Sequence, residues 1–195
     1  STTTLVQDAT RILVETGHAA PDWPRLDRDD PAIMAAFAAG DTFGIFQFES
    51  AGMRSALKEV KPTRFSDLAA INALFRPGPI KHIQEFARRK AGKESFAFPA
   101  PAEKTEPILR DTYGIMVYQE QVMEMARICA GYSPGAADIL RRAMGKKKPE
   151  EMARQKRIFL HGDGKDIPGA LALGLSRQDA ERLFEDMASF AGYGF

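Results

Sequence analysis

The sequence predicts a mainly α-helical fold, an irregular multi-helix domain with at most one or two short strands. Apolar residues recur at helical spacing along most of the 195-residue chain. Many of these segments begin at a capping residue or a proline and end at glycine, as helices usually do. Alternating apolar and polar residues, which would indicate strands, are scarce. The predicted helices cover residues 3–17, 31–40, 51–60, 64–75, 80–90, 118–130, 134–145, 149–162 and 177–190.

The elements of the first half follow from local signals. In the first helix apolar residues repeat every three to four positions, and Asp30 followed by Pro31 is a strong start for the second. Residues 41–50, DTFGIFQFES, are rich in aromatic residues and predict a short strand or an extended segment. Ser50 can cap the third helix. The two prolines of RPGP, residues 76–79, end the fourth helix because proline lacks an N–H donor.

The second half alternates helices with loops. Residues 93–103 predict a loop, and TYGIMVY, residues 112–118, predicts a short extended piece. Ser133 followed by proline starts one helix, and Pro149 starts the next. Residues 161–175 are rich in glycine and lack apolar periodicity, so we expect a mobile loop with little to bury.

Composition excludes several classes of protein. The chain is 44% hydrophobic and 27% charged with a net charge of +1, which is typical of a globular domain rather than a basic tail. Cys129, the single cysteine, lies in an apolar run and predicts a buried side chain more readily than a catalytic thiol. No membrane-spanning run or secretion signal is evident, so we expect a cytoplasmic protein. The chain lacks an initial methionine and stops at FAGYGF, so we expect a piece of a longer protein.

The stretch ADILRRAMGKKKPEE, residues 137–151, concentrates positive charge. Between residues 141 and 157 there are eight cations and two acids. A solvated helix face is the ordinary explanation, but residues 139–148 contain no acid, and adjacent arginines repel each other unless an anion lies nearby. Arginine binds phosphate bidentately, so a polyphosphate is the anion we expect. No phosphate-binding P-loop motif is present.

Five motifs in the same order resemble bacterial family-C replicative DNA polymerases, the alpha subunits of DNA polymerase III. They are GIFQFESAGM (44–53), LFRPGPI (74–80), TYGIMVYQEQVMEMA (112–126), LRRAMGKKKPEEM (140–152) and FAGYGF (190–195). The resemblance covers residues 40–160 densely and the remainder loosely. It implies the fingers region over residues 41–195, preceded by the end of the palm or connecting helices over residues 1–40.

The resemblance implies two groups of contact residues. Those expected to bind the incoming deoxynucleoside triphosphate are Arg76, Arg141, Arg142, Lys146 and Lys147. Those expected to contact primer–template DNA are Lys81, Arg88, Arg89, Tyr113, Gln119 and Lys148. For the second group, solvated surface or packing remains an equal alternative, and Arg76 can instead stabilise a helix C-terminus.

The resemblance further implies two-metal nucleotidyl transfer, with Mg²⁺ held by palm carboxylates outside this segment. The three histidines show no metal-ligand spacing, and we expect no metal site in this chain. We therefore expect the isolated chain not to polymerise DNA. The expected partners are deoxynucleoside triphosphate, primer–template DNA and, through the parent chain, the sliding clamp, exonuclease and clamp loader. A non-catalytic helical nucleic-acid-binding module and a protein-interaction domain are the competing functions.

Overall fold

The structure, a computed structural model, describes residues 2–146 and 148–191. Within these residues the regular structure consists of ten α-helices and three short 3₁₀ turns, without a strand, which confirms the mainly α-helical prediction. The helices are α1 (Thr2–Glu15), α2 (Pro31–Ala39), α3 (Ala51–Val60), α4 (Phe65–Leu74), α5 (Ile83–Lys90), α6 (Ala102–Leu109), α7 (Gln119–Ala130), α8 (Pro134–Lys146), α9 (Pro149–His161) and α10 (Arg177–Ala191). None of these helices is both long and apolar enough for a membrane span.

Side-chain caps begin several helices where the sequence predicted them. The Asp30 carboxylate accepts hydrogen bonds from the N–H groups of Ala32 and Ile33 at the start of α2. The Ser50 hydroxyl accepts from the N–H of Met53 at 3.2 Å at the start of α3. Such caps satisfy backbone donors that have no partner within the helix, which fixes where the helix begins.

The strand predicted for residues 41–50 is wrong, because the segment folds into tight turns. Gly44 and Gln47 have positive φ values of 79° and 67°, which an extended strand excludes. The Thr42 hydroxyl donates to the carbonyl of Phe48 at 2.6 Å and closes the loop. The aromatic residues favoured a strand or an extended segment, whereas the positive φ values of Gly44 and Gln47 place turns here.

Helix α6 was not predicted, because its sequence carries signals that normally end helices. Pro101 precedes its first residue, and Pro107 lies inside it. Proline has no N–H, so Pro107 leaves the carbonyl four residues earlier without its helical donor. The helix nevertheless buries Thr105 and Leu109 completely, and this burial favours the helical conformation.

The helices pack around two hydrophobic cores. The N-terminal core is formed mainly by α2–α5 and includes Ile71 and Phe86, both fully buried. The C-terminal core is formed mainly by α6–α10 and includes Leu140 and Met144, also fully buried. Cys129 lies in the C-terminal core as predicted, and burial raises the pKa of its thiol to about 11. At neutral pH the thiol is therefore protonated, which excludes a thiolate nucleophile at this position.

One extended segment joins the two cores, and we call residues 115–117 the seam. Ile115 and Val117 belong to the N-terminal core, whereas Met116 between them belongs to the C-terminal core. Such alternation is typical of an extended segment, in which successive side chains point to opposite sides. The Gln121 side chain fixes the seam, because its Oε1 accepts from the N–H of Val117 at 2.7 Å and of Tyr118 at 2.9 Å.

Most of residues 161–175 are exposed, as expected of a segment with little to bury, but Gly169, Ala170 and Leu175 are buried. Ala170 is fully buried, and its N–H donates to the carbonyl of Phe159 at 2.8 Å. Gly169 has a φ of 87°, and a Cβ there would overlap the backbone nitrogen of Gly162. Glycine at this position therefore allows two backbone segments to approach closely, while the mobility of the segment stays a prediction.

Helix α1 forms as predicted, but its apolar side chains remain exposed. None of residues 3–15 is buried in the structure. The exposed fraction is 70% for Leu5 and 52% for Ile12. The helical spacing therefore predicted the element correctly, whereas the packing that such spacing normally implies is absent among the described residues.

Candidate functional site

The basic stretch predicted to bind phosphate lies on α8 and at the start of α9. The Ser133 hydroxyl accepts from the N–H of Ala136 and caps α8, and the helix extends to Lys146. Leu140 and Met144 are fully buried on its inner side. The two arginines between them therefore lie away from the hydrophobic core, as the helical spacing predicted.

Arg141 is held by two neighbours. Its Nε and Nη2 donate to Oδ1 of Asp138 at 3.1 and 2.8 Å, and its Nη1 donates to Oε1 of Gln119 at 2.8 Å. Asp138 lies one turn earlier on α8, whereas Gln119 is the first residue of α7. The Arg141 side chain is 20% exposed. Arg141 therefore ties α8 to the start of α7.

Arg142 is much more accessible, with 68% of its side chain exposed. Its Nε lies 2.8 Å from Oδ2 of Asp138, so one carboxylate pairs with both arginines. Among the residues that the structure describes, Asp138 is the one ion-pair partner of Arg142. The hydrogen bond from Arg141, followed by the charges of both arginines, lowers the pKa of Asp138 below its ordinary value. The carboxylate is therefore ionised at neutral pH.

Asp138 corrects one step of the sequence argument. We inferred a bound anion partly because residues 139–148 contain no acid. Asp138 immediately precedes that stretch, and helical geometry brings it to both arginines at i+3 and i+4. Repulsion between the arginines therefore does not by itself require a phosphate. The accessibility of Arg142 still favours phosphate binding, because its exposed side chain can reach a ligand without leaving a buried position.

Lys146 and Lys148 extend the basic surface, and together with Arg141 and Arg142 we call them the α8 strip. Both lysines are exposed, and neither has an ion-pair partner among residues 2–146 and 148–191. Lys146 follows Arg142 by one turn, so the two share a face of α8. Lys147, also predicted to bind nucleotide, lies outside the described residues.

Arg76 lies apart from α8 in sequence, on the turn after α4. It is exposed, and its carbonyl accepts from the N–H of Ile80 at 3.1 Å. Gly78 has a φ of 107°, so the turn depends on glycine. The predicted rigid presentation of Arg76 by a proline-containing turn therefore agrees with the backbone, while its contact with nucleotide stays a prediction.

The second basic region lies around α5, and we call it the α5 strip. Its members are Lys81, Arg88, Arg89, Lys90 and Lys93. Arg89 pairs with Glu85 and Glu94, and its guanidinium lies over the ring of Phe96, 5.1 Å from the centroid. The Arg89 side chain is only 18% exposed. These contacts stabilise the loop after α5 and limit the access of DNA to this arginine.

Lys90 is engaged even more deeply. Its Nζ lies 3.1 Å from Oδ2 of Asp67, and the exposed fractions of the two side chains are 10% and 0%. Arg88 pairs with Glu94 but is half exposed, and Lys81 and Lys93 are exposed. Only the outer cations of the α5 strip are therefore open to a DNA backbone.

Tyr113 and Gln119 were predicted to contact DNA, with packing as the alternative. The Tyr113 hydroxyl accepts from Nη2 of Arg64 at 3.2 Å and donates to Oδ1 of Asp67 at 3.4 Å. Its ring packs edge-on against Phe86 with centroids 5.0 Å apart. Burial, followed by the charge of Asp67, raises the pKa of Tyr113. Tyr113 is thus engaged in packing and hydrogen bonds, and Gln119 accepts a hydrogen bond from Arg141. Contact of either side chain with DNA stays a prediction.

The structure brings some predicted residues together and adds two that the sequence did not single out. Gln119 and Arg141 meet, as do Arg89 and the backbone of Tyr113, whose carbonyl accepts from Nη1 of Arg89 at 3.2 Å. Asp67 and Asp138 are the added carboxylates. The i+3 and i+4 spacing of Asp138 from the two arginines could have predicted its ion pairs from the sequence. Asp67 and Lys90 are too far apart in the sequence for their pairing to be predicted in this way.

A cleft of about 640 Å³ lies between α5 and α10 and was not predicted. Cations and acids of both helices line it together, including Arg89, Glu85, Arg182 and Asp186. Because the charges are mixed, the cleft does not favour an anion such as phosphate over a cation.

The described residues form a helical domain that presents exposed cations on α8 and around α5. Comparison with known families is more specific. Residues 2–166 match the family model described as the bacterial DNA polymerase III alpha subunit finger domain. The chain belongs to this family.

Curated relatives agree with this assignment. The DNA polymerase III subunit alpha of Xylella fastidiosa (strain Temecula1) is 52% identical over 167 residues, which are 86% of this chain and 13% of that protein. The corresponding subunit of Thermus aquaticus is 44% identical over 197 residues, covering 100% of this chain and 16% of the relative. That of Deinococcus radiodurans is 41% identical over 203 residues, or 100% of this chain and 15% of the relative. The chain thus spans less than a fifth of these proteins.

Proposed function

We propose that this domain binds the triphosphate of an incoming deoxynucleoside triphosphate and contacts primer–template DNA within a bacterial DNA-directed DNA polymerase. The observation that carries the proposal is the exposed Arg142 followed by Lys146 on one face of α8. Membership of the finger-domain family supports it. In such an enzyme the domain would act in the bacterial cytoplasm, where the chromosome is replicated.

The chemical work of Arg142 would be charge stabilisation. When the 3′ hydroxyl of the primer attacks the α-phosphate, negative charge accumulates on the departing pyrophosphate. A guanidinium placed at that charge in a water-poor site contributes about 3–4 kcal/mol to the transition state. An exposed surface ion pair contributes only about 0–1 kcal/mol. The two roles of Arg142 therefore predict clearly different kinetic effects.

Lys146 would supply a second, mobile charge. It lies one turn beyond Arg142 and is exposed, so its flexible ammonium group can follow the phosphates as they separate. Contact of Lys147 and Arg76 with the nucleotide stays a prediction. Arg141 stays a prediction as a direct ligand, since its guanidinium already binds Asp138 and Gln119.

For DNA, the exposed cations are the candidates that we favour. Lys81, Arg88 and Lys148 are exposed and could contact backbone phosphates without disrupting a buried pair. Arg89, Tyr113 and Gln119 also stay predictions, but each would first have to leave a hydrogen-bonded partner. Phosphate contacts of this kind position DNA and do not read its sequence.

We propose that this chain does not by itself hold the Mg²⁺ of the polymerase. Mg²⁺ is bound through carboxylate oxygens, phosphates and water. Among the described residues no group of three histidine, cysteine or acidic side chains could hold a metal ion. We propose that the ion is held elsewhere in the parent polymerase and that the isolated chain does not extend a primer. The clamp, exonuclease and clamp loader are proposed partners of that parent only.

The proposal is tested by replacing Arg142 in the complete polymerase. Arg142→Ala should lower kcat/KM for nucleotide incorporation by on the order of 10²-fold, because one transition-state donor is lost. Arg142→Lys should recover only part, since lysine cannot form a bidentate fork. Arg177→Ala is the matched control, because Arg177 on α10 is 70% exposed and pairs with Glu181 one turn away. This control should leave kcat/KM unchanged.

Two other outcomes would favour different functions. If Arg142→Ala weakens primer–template affinity and leaves nucleotide kinetics at saturating DNA unchanged, the α8 strip binds DNA and the triphosphate role is wrong. If neither quantity changes relative to Arg177→Ala, Arg142 is a solvated surface arginine. Salt-dependent DNA binding would then separate a nucleic-acid-binding module from a protein-interaction domain.

A further inference from the structure

We infer that Asp138 is a positioning residue that gives the two adjacent arginines different roles. Arg141 becomes a strut between α8 and α7, and Arg142 becomes the phosphate ligand. The inference rests on the proposed function, because it assumes that Arg142 binds the triphosphate. It goes beyond that function by assigning the orientation of Arg142 to a carboxylate that would not itself touch the nucleotide.

The geometry of Arg141 supports the role of a strut. Each of its three guanidinium nitrogens donates a hydrogen bond, two to Oδ1 of Asp138 and one to Oε1 of Gln119. The arrangement spans two helices and leaves the side chain 20% exposed. Three of the five N–H groups of this guanidinium are therefore engaged, which leaves fewer donors for a phosphate than Arg142 offers.

The geometry of Arg142 supports the role of a ligand. Asp138 approaches its Nε at 2.8 Å, and 68% of the side chain is exposed. An ion pair through Nε leaves the opposite edge of the planar guanidinium, formed by Nη1 and Nη2, for bidentate binding of a phosphate. The pair also limits rotation of the side chain, so less conformational freedom is lost when phosphate binds.

A carboxylate is required because two arginines must be held at once. Asp138 offers Oδ1 to Arg141 and Oδ2 to Arg142. Asparagine has one acceptor oxygen, and its NH₂ group would face a guanidinium that also only donates. Asp138→Asn should therefore release one arginine while removing a negative charge near the triphosphate. The lost charge favours nucleotide binding, whereas the lost orientation slows the chemical step.

The experiment compares Asp138→Asn with wild type in the complete polymerase, using steady-state and single-turnover incorporation of one deoxynucleotide. We expect kcat to fall by on the order of tenfold, as for a misplaced catalytic group, with KM unchanged or lower. Asp138→Glu keeps both oxygens and should recover part of kcat. Glu181→Gln, which removes the charge of the exposed pair with Arg177 on α10, is the matched control and should have no effect.

A double variant tests whether Asp138 acts through Arg142. Asp138→Asn combined with Arg142→Ala should be no slower than Arg142→Ala alone, because the group to be positioned is already absent. Additive losses would overturn the inference. A higher KM with unchanged kcat, or a loss explained by a lower melting temperature in both Asp138 variants, would overturn it as well.

These outcomes separate the positioning role of Asp138 from the proposed role of Arg142 in nucleotide binding. If Arg142→Ala lowers kcat/KM and Asp138→Asn matches wild type, the positioning role is wrong and the proposed function stands. If Arg142→Ala itself has no effect, the proposed function is wrong and the positioning role falls with it.

Discussion

The α5 strip and the α8 strip are both dense in lysine and arginine, yet their cations are placed differently. In the α5 strip, Lys90 pairs with the fully buried Asp67, and Arg89 pairs with two glutamates. In the α8 strip, one partly exposed carboxylate serves two arginines, and Lys146 is unpaired within the described residues. The density of charged residues in a sequence therefore does not predict how many of those charges are accessible to a ligand. Whether a cation is accessible to a ligand depends on which carboxylates the fold places beside it.

Buried and exposed ion pairs should also respond differently to mutation, the first through stability and the second through binding. A buried ion pair is expensive to break, because removing one partner leaves an uncompensated charge in a medium of low polarity. An exposed pair contributes little to stability and is readily exchanged for a ligand. The α5 strip should therefore respond to mutation mainly through folding, and the α8 strip mainly through binding.

The largest effect on stability should come from Lys90. Lys90→Met leaves Asp67 buried with Arg64 at 3.9 Å as its remaining ion-pair partner, so the free energy of unfolding should fall by about 3–5 kcal/mol. Lys146→Met, the matched exposed substitution on α8, should change it by less than about 0.5 kcal/mol. Urea unfolding of the chain measures both. Similar losses for the two variants would remove the contrast between the strips.

A smaller effect of the same kind is expected within the α5 strip. Arg89→Ala removes two ion pairs, a bond to the carbonyl of Tyr113 and the contact with Phe96. The loss should be about 1.5–3 kcal/mol. Arg88→Ala, at a half-exposed neighbour that also pairs with Glu94, should lose about 0–1 kcal/mol. Thermal unfolding compares the two, and a greater loss for Arg88→Ala would contradict the roles that we assign.

A third test concerns DNA rather than stability. In the complete polymerase, Lys148→Ala should reduce the slope of log affinity against log salt concentration by about one unit, as expected for one lost phosphate contact. Lys81→Ala should do the same if the outer part of the α5 strip follows the DNA backbone. Arg177→Ala serves as the exposed control. An unchanged slope for Lys148→Ala would leave that lysine as solvated surface.

The smallest effect should be the loss of stability when Asp138 of α8 is protonated at low pH. The pKa of Asp138 is lowered in the fold, mainly by its hydrogen bond from Arg141. The stabilisation from this pair is therefore fully present above the pKa of an unfolded aspartate, about 3.9, and is lost as the pH falls through the lower folded value. Carboxyl carbon NMR should show the pKa of Asp138 rising more in Arg141→Ala than in Arg142→Ala. The reverse order would contradict the strut assignment.

Local signals predicted much of the fold. Asp30 and Ser50 cap helices where the sequence placed them, and Leu140 and Met144 form the buried side of α8. Such features depend on residues within one or two turns, which a sequence displays directly. The predicted boundary between palm or connecting helices (residues 1–40) and fingers (residues 41–195) stays a prediction. The family match covers residues 2–166 and therefore extends across this boundary.

Features that depend on distant contacts were missed. Nothing local indicates that the N–H of Ala170 donates to the carbonyl of Phe159. The mobility expected for the rest of the glycine-rich segment stays a prediction. The pairing of Lys90 with Asp67 joins residues far apart in the chain and was equally hidden. In the candidate site, the exposure of Arg142 followed from helical spacing. The engagement of Arg141 depended on Gln119 at the start of another helix.

The seam has a consequence for how the domain can be divided. Because Ile115 and Val117 fill the N-terminal core from a position beyond α6, a chain cut anywhere between α5 and the seam removes side chains from a core that precedes the cut. The two halves are therefore not modules that evolution or an experimenter can exchange separately, although each has its own hydrophobic interior. A replacement of the first half from another species would have to carry residues 115–117 with it, or match their shape.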